Sequence, residues 1–449
     1  MAKSKNRPAC LSARDRASFA FPTIKDRVPI IVCKIIDLLY RHRSVYPDTD
    51  SIKQAIELMS KLRYEIATDK PFSNIEDGRE DCSVWNEYKD KMGVRTDQGE
   101  LLAPSWFQTS WLYAECYAYR RLWEAMGSTT NPKYRSLDFF EIQKQESFCG
   151  SWTSIKALIQ TVEGIHKSNP KDSGSMAKNF LNLLKVSLWG NKCDLSISSG
   201  VATSFQGDPT LQVGALQPNL IVDHSRAVWD HLSANQGGIV DIILDNVGFE
   251  LVSDLALADY LVSTGLAKKV RIRAKNQPWF VSDAMAHDIK WTINAMETGG
   301  DIAQNEEKTT EGKVKATDST ALRWRQFLES GLWEVSEDNF WTYPHFYGEM
   351  KEKDPTLYQS LSEAQLLIFK GDLNYRKLVG DLNWDPTTSF EESLLGFHPA
   401  PLVTLRTLKA DVVTSLDAGQ AEELTLKDPK WMINGSWAVI KFCSRIDLI

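Results

Sequence analysis

Two short polar groups stand where apolar runs stop: Asp245-Asn246 after Ile239, Val240, Ile242, Ile243 and Leu244, and Asp283 in Trp279-Phe280-Val281-Ser282-Asp283. Two carboxylates and a carboxamide offer hard oxygens, which suit a divalent cation and a phosphate better than covalent attack by a thiol or hydroxyl. Two cationic groups follow later apolar runs. Lys370-Gly371-Asp372-Leu373-Asn374-Tyr375-Arg376 comes after Leu366–Phe369, and Arg406-Thr407-Leu408-Lys409 after Leu402–Leu405. A phosphoryl dianion held by a metal on one side needs fixed positive charge on the other. Lysine supplies that as a point charge and arginine as a fork.

Each group also has a plainer reading. Asp283 could be a helix N-cap, Asp245-Asn246 a turn, Asp372 an Asx turn, and Arg406 with Lys409 a solvated helix start. Glu250 and Asp254, one helical turn apart, could lie behind a metal, but a solvated helix face accounts for them more simply. His287 is spaced i,i+4 from Asp283, and His398 precedes the Leu402 run; both read as structural histidines. Asn191 and Asp194, in WGNKCDLS (189–196), either line the far wall of the site or turn the chain, and the wall is the reading adopted.

What must position these groups is an alternation of elements. Residues 239–244 form a strand buried on both faces, 249–263 a helix, 269–274 a strand and 283–297 a helix. Further strands are expected at 366–369, 402–406 and 437–442. This is the βαβ pattern of a parallel sheet, which places ligands beyond the carboxyl ends of its strands. The first 190 residues read as helical: Val28, Ile31, Ile35 and Leu38 recur at helical spacing, as do Ile52, Ile56, Met59 and Leu62 after a cap at Asp50 or Ser51. Further helices are expected over 105–126, 154–166 and 176–188. The expected organisation is a flexible tail over 1–18, a helical subdomain over 19–190 and an α/β core over 191–449. Residues 195–219 form a long connection, and 298–319 a polar surface insertion.

The 449 residues are 43% hydrophobic and 25% charged, with a net charge of −7, which argues against a general binder of nucleic acid or anionic membrane. The seven cysteines are dispersed and odd in number, as expected of reduced thiols in a cytoplasmic protein that could also enter the nucleus. There is no secretory h-region and no apolar run of membrane-spanning length.

The segments WGNKCDLS (189–196), LDNVGFELVSDLALADYL (244–261), PWFVSD (278–283), LIFKGDLNYRKL (367–378) and GFHPAPLVTLRTLK (396–409) resemble the damage-control phosphatase family. The similarity is to its eukaryotic, acidic residue methyltransferase-like branch, marked by Arg-Thr-x-Lys, and runs from about Phe19 to the last strand. The resemblance implies a Rossmann-like α/β/α sandwich with a helical N-terminal subdomain and one divalent metal. It makes Asp245, Asn246 and Asp283 the metal ligands, Asp372 through Arg376 substrate contacts, and Lys409 the phosphate holder. The implied activity is hydrolysis of small sugar phosphates such as fructose 1-phosphate and fructose 6-phosphate. Mn²⁺ or Ni²⁺ is favoured, with Co²⁺ or Mg²⁺ as alternatives, and the attacking group is either a water or Asp245 itself.

The family's other name implies a rival activity, S-adenosylmethionine-dependent methylation of glutamates on the replication sliding clamp. The residues give it little support, because no Gly-x-Gly-x-x-Gly turn follows a first strand. A third reading is a metal or sugar-phosphate binder without turnover.

Overall fold

The computed structural model describes residues 7–43, 48–95, 101–168, 172–190, 209–299 and 315–445. Asn191 and Asp194 lie outside them, as do most of the 195–219 connection and the middle of the 298–319 segment.

Seven strands build one sheet: β1 (Leu220–Asp223), β2 (Gly238–Ile243), β3 (Ala267–Ala274), β4 (Trp333–Glu337), β5 (Ala364–Lys370), β6 (Leu402–Thr407) and β7 (Ala438–Cys443). Their order is β1-β7-β6-β5-β2-β3-β4, parallel throughout except for the β6–β7 pair. From β2 the chain builds outward through β3 to β4, then returns to place β5 on the other side of β2. The strand order therefore reverses between β2 and β5, and this is where open α/β sheets form a ligand crevice. The α/β class expected from the sequence is the class observed.

Alternating residues of the central strands feed two cores. Leu367 and Phe369 of β5 face one, with Ile243 of β2; Leu366 and Ile368 face the other, with Val240 and Ile242. The first core takes in α1 (Val28–Arg41), α2 (Thr49–Ala67) and α3 (Trp111–Gly127). The second takes in α5 (Trp152–Ser168) and α6 (Ser173–Gly190), with α7 (Ser225–Ala234), α8 (Phe249–Ser263), α9 (Ala286–Glu297) and α10 (Lys315–Glu329). The helical first 190 residues are thus divided between both faces of the sheet, with α4 (Glu141–Gly150) at the crossing. A short helix, α11 (Gly371–Leu378), leaves β5 directly. Among the described residues no helix is long and apolar enough to cross a membrane.

Three boundaries differ from expectation. The cap of α2 is Asp48, whose carboxylate accepts the Asp50 and Ser51 amides. Helix α9 starts at Ala286, with Asp288 reaching back to the Met285 amide at 2.8 Å, so Asp283 is not its cap. Helix α10 begins inside the stretch read as a polar insertion.

Candidate metal and phosphate site

Beyond β2 and β3 the two connecting loops are stitched together. The Val247 amide donates to the Ser282 carbonyl and the Ala284 amide to the Asp245 carbonyl, both at 2.8 Å. Asn246 and Asp283 form an isolated antiparallel bridge between them. These bonds bring Asp245, Asn246 and Asp283 to one place although Asn246 and Ser282 are 36 positions apart in the chain. All three are buried, at 5%, 3% and 1% exposure.

The Asn246 amide has one sensible orientation. Its nitrogen donates to Asp245 Oδ2 at 2.8 Å and Glu250 Oε2 at 2.9 Å, while Ser282 Oγ donates to its oxygen at 2.6 Å. Reversing it would aim a carbonyl oxygen at two carboxylates. The amide oxygen is thereby kept on the side of the ligand-bearing loops.

Two buried lysines belong to this cluster. Lys275 Nζ lies 3.2 Å from Asp283 Oδ2 and donates to the Leu244 carbonyl at 2.9 Å. Lys370 Nζ reaches Glu250 Oε1 at 3.0 Å, Asp254 Oδ1 at 2.7 Å and the Ser187 carbonyl at 2.7 Å. Asp245 and Glu250 thus share the Asn246 amide, Glu250 and Asp254 share Lys370, and Asp283 is paired with Lys275. Burial pushes the Asp254 carboxyl up, and Lys370 only partly offsets it. The buried donor set of carboxylate and amide oxygens fits a hard divalent cation.

Glycine makes room for Asp245. Gly371 sits at φ +81°, and a Cβ there would fall 1.8 Å from Asp245 Oδ2. The next residue, Asp372, accepts from Arg406 Nε at 2.7 Å and from the Lys409 amide at 3.0 Å. Gly371-Asp372 therefore joins the carboxylate half of the site to the Arg-Thr-Leu-Lys half. Arg406 also donates to the Val412 and Ala410 carbonyls, at 2.6 and 3.1 Å, and stacks on Tyr375 at 4.1 Å. Its role here is to shape the loop that carries Lys409, which is itself 5% exposed.

The remaining α11 residues have varied surroundings. Asn374 donates to the Lys370 and Leu244 carbonyls at 2.7 and 3.2 Å, tying the ends of β5 and β2. Leu373 and Tyr375 lie in the buried interior, with the Tyr375 hydroxyl 3.0 Å from Thr414 Oγ1. The Arg376 guanidinium lies 3.6 Å over Trp111 and is engaged by Asp381 at 2.8 and 3.0 Å and by Glu115 of α3 at 2.7 Å.

Glu250 and Asp254 correct the sequence reading. They are 0% and 1% exposed, so they are not a solvated face; they orient Asn246 and hold Lys370. Lys275 and Ser282 were missed, although each sits beside a nominated segment, and so was Tyr347, whose hydroxyl donates to Asn374 Oδ1. His398 is buried, as a structural histidine would be.

A second cluster lies apart in sequence: Asp138, His287 and Asp288 bring one ligand atom each within 4.8 Å of one another, a spacing that can hold a divalent cation. Lys144 of α4 already bonds both carboxylates, at 2.7 Å to Asp138 and 2.8 Å to Asp288. A metal there would have to displace a buried ammonium group or share its carboxylates with it.

A model of the damage-control phosphatase ARMT1-like domain matches residues 23–424. The damage-control phosphatase ARMT1 of Danio rerio is 42% identical over 452 residues, covering 97% of this chain and 97% of its own. The Homo sapiens protein of that name is 38% identical over 455 residues, covering 97% and 98%. A solved DUF89 family protein from Pyrococcus horikoshii aligns over 94% of this chain and 98% of its own, with a TM-score of 0.42 and 16% identity.

Proposed function

The chain belongs to the damage-control phosphatase ARMT1-like family, and from that premise we propose that it is a metal-dependent phosphomonoesterase acting on small sugar phosphates such as fructose 1-phosphate and fructose 6-phosphate. The observation that carries the reading is the stitched pair of loops beyond β2 and β3, which gathers the Asp245, Asn246 and Asp283 side chains in one buried cluster of oxygen donors. These three would hold the cation, Mn²⁺ or Ni²⁺ before Co²⁺ or Mg²⁺. When bound, it supplies electrostatic stabilisation of a phosphoryl oxygen. Ser282 and Glu250 fix the Asn246 amide, and Gly371 gives the Asp245 carboxylate its room. Lys409 neutralises the opposite side of the phosphate, on a loop that Asp372 and Arg406 hold in place. Asp372 through Arg376, with Asn191 and Asp194, complete the substrate wall in this reading. Phosphorus is attacked by a water or by Asp245 itself, and trapping of an aspartyl-phosphate separates the two.

A small phosphomonoester is the partner expected, with no nucleic acid and no membrane. Six described cysteines are free, which supports a reducing, cytoplasmic or nuclear setting. The Asp138–His287–Asp288 cluster is the alternative place for the metal.

The test is a phosphomonoester panel run on the full chain with Mg²⁺, Mn²⁺, Co²⁺ and Ni²⁺ separately, beside metal titrations of Asp245→Ala and Asp138→Asn. Turnover of sugar phosphates, with metal lost from Asp245→Ala and kept by Asp138→Asn, is expected. No turnover with any metal would refute the phosphatase reading, and the reverse pattern of metal loss would move the metal to the second cluster.

A further inference from the structure

The residues just before Asp283 adopt a backbone that their side chains disfavour. Phe280 and Val281 lie at φ +41° and +72°, consecutive positions in the left-handed region. Among the described non-glycine residues with positive φ, Val281 is the one with a β-branched side chain. Such a conformation is costly for a branched residue and persists only where surrounding structure holds it.

What surrounds it is the core that α3 helps to build, in which Trp279, Phe280 and Val281 lie with Tyr119. Tyr119 of α3 stacks on Phe280, with ring centroids 4.4 Å apart and planes at 24°. It also meets Trp279 at 5.9 Å and Phe140 at 6.4 Å. Trp279, Phe280 and Val281 are all buried. On the other side of the turn, the Ser282 carbonyl takes the Val247 amide and the Ser282 hydroxyl binds the Asn246 oxygen. The left-handed pair is thus held between an aromatic clamp from α3 and the stitched loops of the site.

We propose that Tyr119 is a positioning residue for the metal site: its stack on Phe280 holds the strained Phe280-Val281 turn and so sets where Ser282 and Asp283 stand. The inference rests on the assignment of Asp283 to the metal. Without the clamp the turn relaxes toward ordinary backbone angles, Asp283 and the Asn246 oxygen lose their common placement, and the cation is held less tightly. The helical layer that contributes none of the proposed ligands would then tune the affinity of the centre.

The experiment is calorimetric titration of the folded full chain with Mn²⁺, well below the unfolding temperature, for wild type, Tyr119→Leu, Tyr119→Phe, Phe280→Leu and Asp283→Ala. Loss of the stack is expected to weaken Mn²⁺ binding by roughly two- to tenfold in Tyr119→Leu and Phe280→Leu, the worth of one aromatic pair. Tyr119→Phe, which keeps the ring, is expected to bind as wild type. Should Tyr119→Leu fail to fold, Phe280→Leu carries the test from the other side of the stack. Wild-type affinity in the folded leucine variants, with binding lost in Asp283→Ala, overturns the proposal and leaves the metal assignment standing. Wild-type affinity in Asp283→Ala overturns the assignment itself.

Discussion

Replacing Gly371 with alanine tests the centre of the site with an internal control. A Cβ at this position would lie 1.8 Å from Asp245 Oδ2 and 2.2 Å from its Cγ. The carboxylate or the chain must move by roughly 1.5–2 Å to restore an ordinary contact of about 3.5 Å. Metal ligands tolerate only about ±0.2 Å, and a misplacement of about 1 Å near reacting groups can cost about 100-fold in rate. The left-handed backbone adds its own penalty of roughly 1–2 kcal/mol for any L-residue with a Cβ. Gly265 isolates that second term. It has φ +75°, close to the +81° of Gly371, and a Cβ there would meet nothing within 4 Å.

Gly265→Ala should therefore lower the urea unfolding free energy by roughly 1–2 kcal/mol and Gly371→Ala by at least that much, while only Gly371→Ala loses Mn²⁺ and at least about 100-fold in kcat/KM. The assays are urea denaturation, calorimetric Mn²⁺ titration and turnover of a sugar phosphate. Wild-type metal binding in a folded Gly371→Ala protein would refute the reasoning, because Asp245 could then leave its place beside Gly371 without consequence for the metal. An equal loss of metal in Gly265→Ala would refute it too, by showing that backbone strain at an exposed turn away from the site suffices.

Arg376→Met should reduce unfolding free energy by roughly 3–5 kcal/mol, because it takes the cation from the buried Asp381 carboxylate and leaves Glu115 with Arg27; an unchanged urea midpoint would show that this ion pair does not join α3 to α11. Burial raises the Asp138 carboxyl, but Lys144 and the His287 hydrogen bond outweigh it and hold it at about 2. Since this is below the unfolded value, its stabilisation is complete above about pH 4 and is lost as pH falls toward 2. The urea midpoint of wild type should thus converge on that of Asp138→Asn on acidification, and parallel profiles from pH 5 to 2.5 would contradict this.

The central strands were legible because burial on both faces demands a continuous apolar run, which β2 and β5 supply. The strands that escaped notice, β1 (Leu220–Asp223) and β4 (Trp333–Glu337), are the two edges of the sheet. Each is short and partly exposed, so neither needs such a run. In the site, Asp245, Asn246 and Asp283 were visible because each closes an apolar segment. Glu250 and Asp254 were misread as solvated because acids spaced along a helix normally face water. Here α8 is buried from Phe249 through Leu261, and their cation, Lys370, arrives from a strand 116 residues away from Asp254. Helical spacing locates a polar residue on a face, but only tertiary structure decides whether that face meets water or a lysine.

Three of the residues at positive φ border the site. Gly371 follows β5, and Phe280 and Val281 lie in the loop after β3, all within a few residues of the proposed ligands. The two cases differ in kind. At Gly371 a side chain is forbidden because the Asp245 carboxylate fills its place, so the sequence must use glycine. At Phe280 and Val281 side chains are present despite the backbone, and Phe280 is the residue that Tyr119 clamps. Glycine there would remove the strain and the anchor together. A turn that merely needed a left-handed bend would be served by glycine. A turn that must hold Asp283 still, against a loop from another strand, is better served by a strained residue with a ring to grip.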